Sequence, residues 1–190
     1  MRNNLFITAL ILLLLLVSCN KSGNPDGGGS SSSTRAGIKI GDTAPDFTLP
    51  GFPQQEFTLS DHLAQQAVVL YFYPKDNTPD CSAQACAFRD MLGEFSLNQA
   101  TIVGISRDDL ASHALFADEY DIPFPLLFDQ NGAVRELYGN PDGSTKLIPR
   151  ISYIIDRKGA VSEIISGDQV SDLNAHVLAA LEAVKRLSPT

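Results

Sequence analysis

"AVVLYFYPKDNTPDCSAQAC" runs from Ala67 to Cys86. Its first seven residues are an unbroken apolar, β-branched and aromatic run. A strand apolar on both sides is what a central strand covered by helices requires. After Pro74 the chain turns, and Thr78-Pro79 opens a helix, with Thr as N-cap and Pro at the first helical position. A buried strand that feeds into a helix sets the class as α/β. The helix carries two of the chain's three cysteines, Cys81 and Cys86, five positions apart.

Outward from this unit, "DFTLP" (Asp46–Pro50) and "EFTLS" (Glu56–Ser60) flank a Gly/Pro turn and read as an opening hairpin. "TIVGIS" (Thr101–Ser106) is a second buried strand. Asp108–Tyr120 reads as an amphipathic helix and "FPLLFD" (Phe124–Asp129) as another strand. "RISYIID" (Arg150–Asp156) and "AVSEIIS" (Ala160–Ser166) form a hairpin about Arg157-Lys158-Gly159. Ser171 is the expected cap of a last helix with Leu173, Val177, Leu181 and Val184 on one face. The order β-β-β-α-β-α-β-β-β-α predicts a mixed central sheet flanked by helices. It resembles a thioredoxin-like core.

With Thr78 as N-cap, Cys81 is the third helical residue, beside the unpaired amides and positive end of the helix dipole. Both favour thiolate, the nucleophilic form. On an ideal helix, residues five apart have Cα atoms about 8.6 Å apart. A disulfide needs less than about 7 Å. A Cys81–Cys86 bridge therefore requires the first turn or two to unwind. Chemistry that uses this spacing is oxidation of Cys81 to a sulfenic acid, then condensation with Cys86. Spacing alone leaves a static, loop-closing disulfide open as well.

The 190 residues, 44% hydrophobic and 19% charged, fit one globular domain plus a tail. The net charge is −8 and the pI about 4.7. With no basic run, binding to nucleic acid or anionic lipid by charge is not expected. The sequence contains no fixed-period repeat, GxGxxG or Walker lysine loop. Arg2 precedes an apolar run, Leu5–Val17, too short to span a bilayer comfortably, which reads as a secretory signal over residues 1–18. Leu16-Val17-Ser18-Cys19 resembles the lipobox of bacterial lipoproteins, which implies lipidation of Cys19. The alternative is an ordinary cleaved signal with a stray cysteine. Losing Met1–Ser18 removes Arg2 and no acid, so the mature chain is one charge more negative. Residues 19–37, with "KSGNPDGGGSSSSTRAG" from Lys21, read as a flexible tether of roughly 20–25 Å reach. The folded domain is expected over 38–190. The implied location is a bacterial envelope, with membrane contact only through the lipid.

"FYPKDNTPDCSAQACAFRD" (Phe72–Asp90) resembles the active-site segment of peroxiredoxins, with Pro-x-x-x-Thr-x-x-Cys at Pro74, Thr78 and Cys81. Cys-x4-Cys and "FRD" resemble the bacterioferritin comigratory, or Q-type, subfamily. The likeness extends from "GDTAPDFTLP" (Gly41–Pro50) to the last helix. It implies a thiol peroxidase with Cys81 peroxidatic and Cys86 resolving. It further implies that Thr78 orients the peroxide, Pro74 shields the sulfur from water, and Arg150 of "IPRISYIID" approaches it from a later strand. A guanidinium there stabilises the thiolate and the charge developing on the peroxide oxygen. The expected partners are a hydroperoxide and a thioredoxin-like reductant; no metal, haem or flavin is called for. The Q-type likeness and an intramolecular resolving thiol point to a monomer.

Three positions depart from the pattern. Asp80 replaces glycine, and its negative charge disfavours the neighbouring thiolate. Gln84 replaces a frequent glutamate, and Ser82 a threonine. His62, His113 and His176 share no metal spacing and read as solvated or near helix ends. Asp129–Gly132 reads as a turn, and Arg89 with Asp90 as a helix-surface pair. Tyr73 suits either a pocket wall or the edge of the core. Two other functions stay open: a protein disulfide oxidoreductase, disfavoured by the lack of Cys-x-x-Cys, and a surface lipoprotein with a structural disulfide.

Overall fold

Strand β3 (Ala67–Phe72) is buried at every residue because helices cover both of its faces. The alternation of side chains sends Val69 and Tyr71 into one core and Val68, Leu70 and Phe72 into the other. The computed structural model describes residues 37–139, 150–167 and 172–188. The signal, Cys19 and nearly all of the tether lie outside them.

Among the described residues, seven strands form one mixed sheet in the order β2-β1-β5-β4-β3-β6-β7. β1 (Thr48–Phe52) and β2 (Glu56–Thr58) make the antiparallel opening hairpin. β4 (Ala100–Ser106) runs parallel to β3 and to β5 (Leu126–Phe128). β6 (Ile151–Ile155) and β7 (Val161–Ser166) are the expected late hairpin, with β6 antiparallel to β3.

One face of the sheet is covered by α2 (Pro79–Asp90), α3 (Leu92–Leu97), α4 (Leu110–Tyr120) and α6 (Leu173–Leu187), through Ala85, Phe88, Phe95, Phe116, Val177 and Leu181. The other is covered by α1 (Leu59–Leu63) and α5 (Ala133–Tyr138), through Leu59, Val134 and Tyr138.

Three helices differ from expectation. α1, α3 and α5 have five, six and six residues, too short for periodicity to register; α3 and α5 occupy stretches read as connections, and α1 takes Leu59 and Ser60 from the expected strand Glu56–Ser60, which ends at Thr58. Asp129–Gly132 is the expected turn, but the Asp129 carboxylate accepts from Val134 and Arg135 N–H and so starts α5. α4 begins two residues later than expected, capped by Asp109, whose side chain accepts from Ser112 N–H. α6 is capped by Asp172, which accepts from Ala175 N–H at 2.7 Å. Ser171, the expected cap, lies outside the described residues.

Candidate active site

β3 ends at Phe72, and Tyr73 N–H still donates to Ile105 of β4 at 3.1 Å. The chain then turns through Asn77, whose φ of +55° is left-handed, a region that asparagine tolerates better than most residues. Thr78 is the extended N-cap of α2 and Pro79 its first residue, so Cys81 stands third in the helix, as expected. The Thr78 hydroxyl makes no cap bond; it donates to the Lys75 carbonyl at 3.1 Å and closes the loop on itself.

Cys81 is 1% exposed, Cys86 is half-buried, and both thiols are free. Arg150 sits immediately before β6, whose Ile151 pairs with Phe72 at the end of β3. Its backbone carbonyl accepts from Gly167 N–H at 2.9 Å. Arg150 Nη2 reaches the Cys81 sulfur at 3.7 Å. The same nitrogen lies 3.3 Å from an Asp80 carboxylate oxygen. Asp80, expected to act on the sulfur by repulsion alone, is thus paired with the cation that faces the sulfur. Pro74 is exposed and walls a cavity of about 220 Å³ with Phe72, Tyr73, Ile105 and Arg135; Cys81 does not line it. Tyr73 is therefore both core residue and cavity wall. Gln84 is fully buried in α2, where a neutral amide is far cheaper than an unpaired carboxylate.

The loop is fastened by a residue that the sequence reading missed. Asp76, 3% exposed, accepts from Tyr73 Oη at 2.7 Å and from Ser112 Oγ at 2.8 Å, and meets His113 Nδ1 at 2.9 Å. Its backbone N–H donates to Asp108 at 2.9 Å. Burial pushes the Asp76 carboxyl up, but the hydrogen bonds from His113 and Tyr73, the His113 charge and Ser112 outweigh it and hold it below its ordinary value. The hydrogen bond to Asp76 and burial keep Tyr73 a neutral donor, with burial the larger cause.

Of the two readings of the histidines, solvated or near a helix end, the second holds for His113 and His176, each in the first turn of its helix, and neither is solvated. His113 is fully buried against Asp76, and His176 is 1% exposed with Nε2 2.8 Å from Ser152 Oγ. Burial, then the charge of Arg150, lowers the His176 pKa to about 4. His62 stacks on Phe57 at 4.2 Å. Arg89 and Asp90 do pair at 2.8 Å. Arg89 also donates to the Tyr120 carbonyl, tying the far end of α2 to α4. α2 is thereby anchored at its last turn, while Arg150 meets it at the first.

The model of the AhpC/TSA family matches residues 40–164. The putative peroxiredoxin bcp of Coxiella burnetii is 40% identical over 133 residues, 67% of this chain and 87% of its own. Chloroplastic peroxiredoxin Q of Triticum aestivum is 43% identical over 125 residues, 65% of this chain; the chain spans only 57% of that relative. The crystal structure of peroxidoxin BcpB from Mycobacterium tuberculosis superposes with a TM-score of 0.71 at 35% identity, over 80% of this chain and 99% of that one. The thioredoxin-like expectation for the sheet and its helices therefore holds. By this match over more than half its length and these relatives, the chain belongs to the AhpC/TSA family, on its peroxiredoxin Q and bcp side, and is a thiol-dependent peroxidase.

Proposed function

We propose that Cys81 is the peroxidatic thiol of this peroxidase and Cys86 its resolving partner. The observation that carries this is the Arg150 guanidinium 3.7 Å from the buried sulfur of Cys81, at the third residue of α2. The Cys81 thiolate attacks the terminal oxygen of a hydroperoxide. The S–O bond forms as the O–O bond breaks, and the leaving alkoxide or hydroxide takes a proton to become alcohol or water. Arg150 stabilises negative charge on the sulfur and then on the departing oxygen. Thr78, at the N-cap, orients the peroxide with its hydroxyl, and Pro74 limits the access of water.

The resulting sulfenic acid sits on an intact helix, where Cys86 cannot reach it. Unwinding of the first turns of α2 brings the thiols together. The Cys86 sulfur displaces hydroxide from Cys81, which leaves as water once protonated, and a disulfide forms. A thioredoxin-like dithiol protein then reduces it. Substrates are hydrogen peroxide and organic hydroperoxides. An intramolecular resolving thiol lets a monomer complete the cycle.

The Leu16–Cys19 pattern after an apolar run supports lipidation at Cys19 and a place in the bacterial envelope, held to a membrane by acyl chains. Among the described residues no helix is long and apolar enough to cross a membrane. Steady-state peroxide consumption with a dithiol reductant tests the chemistry: Cys81→Ser should abolish turnover. Undiminished turnover in that variant overturns the assignment. Incorporation of a labelled fatty acid into the full chain, lost in Cys19→Ala, tests the anchor.

A further inference from the structure

Asp80 and the Cys81 sulfur share one nitrogen, Arg150 Nη2, at 3.3 and 3.7 Å. Asp80 is the second residue of α2, Arg150 precedes β6 in the sheet, and their contact joins the helix's first turn to the sheet. This turn has to unwind before Cys86 can reach Cys81. We infer that Asp80 is a positioning residue that, through Arg150, sets how long the Cys81 sulfenic acid lasts before Cys86 resolves it. The inference rests on the roles proposed above for Cys81 and Cys86.

While Cys81 is a thiolate, two anions compete for Nη2. Once the sulfur carries a neutral sulfenic acid, its hold on the guanidinium weakens, and Asp80 is the carboxylate already in contact. The ion pair then tightens on the step at which the first turn must leave. During that delay a second hydroperoxide can oxidise the sulfenic acid: its terminal oxygen passes to sulfur, the O–O bond breaks, and sulfinic acid and alcohol result. Asp80 thereby biases the outcome between disulfide and sulfinic acid. The Asp80 side chain is 70% exposed and that of Arg150 19%. An ion pair of that exposure alters a rate by about two- to fivefold and weakens as salt screens it.

The test follows decay of the Cys81 sulfenic acid into the disulfide by quenched-flow and intact mass in the full chain, Asp80→Asn, Arg150→Gln and the double variant, at peroxide raised in each until the sulfenic acid accumulates before the disulfide. Asp80→Asn should form the disulfide about two- to fivefold faster. It should also need correspondingly more peroxide to reach half sulfinic acid. Removing an acid from a helix's first turn loosens that turn regardless of Arg150, so the decisive quantity is the coupling. In the Arg150→Gln background Asp80→Asn should lose most of its effect, and salt should speed disulfide formation in the parent more than in Asp80→Asn. Asp80→Glu should restore slower resolution. An Asp80→Asn effect that is equal in both backgrounds, or no effect at all, overturns the inference while leaving the cysteine roles intact. A parent that forms no disulfide overturns both.

Discussion

Protonating His176 should destabilise the protein from within its larger helical layer. His176 is 1% exposed in α6, with Nε2 2.8 Å from Ser152 Oγ, and its pKa is lowered to about 4 by burial and then by Arg150. In the unfolded chain it returns to about 6.5. The folded state therefore binds this proton less readily than the unfolded state. The histidine's contribution is fully present above about pH 6.5 and is withdrawn as pH falls towards 4. From pH 8 to pH 4.5 the loss from this one group is about 2.5 kcal/mol. Asp76 has its carboxyl held below the ordinary value, so it loses its own contribution only at still lower pH. Urea unfolding followed by far-ultraviolet circular dichroism at pH 8 and 4.5 isolates His176 when the protein is compared with His176→Gln, whose amide keeps a donor and acceptor for Ser152. The variant should lose about 2.5 kcal/mol less over that interval. Equal losses in the two proteins, within about 0.5 kcal/mol, would refute the reasoning, because every other titrating group is common to both.

Replacing Asp76 by Ala leaves His113, Tyr73 and Ser112 without their shared acceptor, and should cost about 3–5 kcal/mol in urea unfolding. Arg150→Gln should slow the single-turnover reaction with peroxide by about 10²–10³-fold in stopped-flow consumption assays. Arg150→Lys should restore only part of it, since an ammonium cannot reproduce the guanidinium fork. A Cβ at Gly104 would stand 2.8 Å from the Tyr71 ring and 2.9 Å from Leu126, so Gly104→Ala should lower stability by about 1–3 kcal/mol in thermal unfolding.

What could be read from the sequence was what local chemistry decides. β3 showed itself because a strand covered on both faces must be apolar throughout, and α2 because Thr78-Pro79 is a helix start whatever surrounds it. The late hairpin followed from its Lys-Gly turn. Helices of five or six residues present less than two turns and have no periodicity to show. The two cysteines were visible from their place on the helix. Asp76 was not, because its partners on α4 lie 36 and 37 residues away, and a carboxylate in a loop ordinarily faces water. His113 and His176 stand near helix ends as expected, but their burial was not legible for the same reason: a buried histidine depends on a tertiary partner, here Asp76 or Ser152. The approach of Arg150 to the sulfur came from the family resemblance, but its pairing with Asp80 did not, since nothing local joins a residue of the helix start to one that precedes a later strand.

The most direct measurement mixes the fully reduced protein with one equivalent of hydrogen peroxide, quenches between milliseconds and seconds, and reads the intact mass beside Cys81→Ser and Cys86→Ser. The expected result is rapid loss of two hydrogens in the parent, a gain of one oxygen in Cys86→Ser, and no change in Cys81→Ser. A parent that oxidises no faster than an ordinary thiol, or a Cys81→Ser variant that still takes up oxygen, would contradict Cys81 as the site of peroxide reduction.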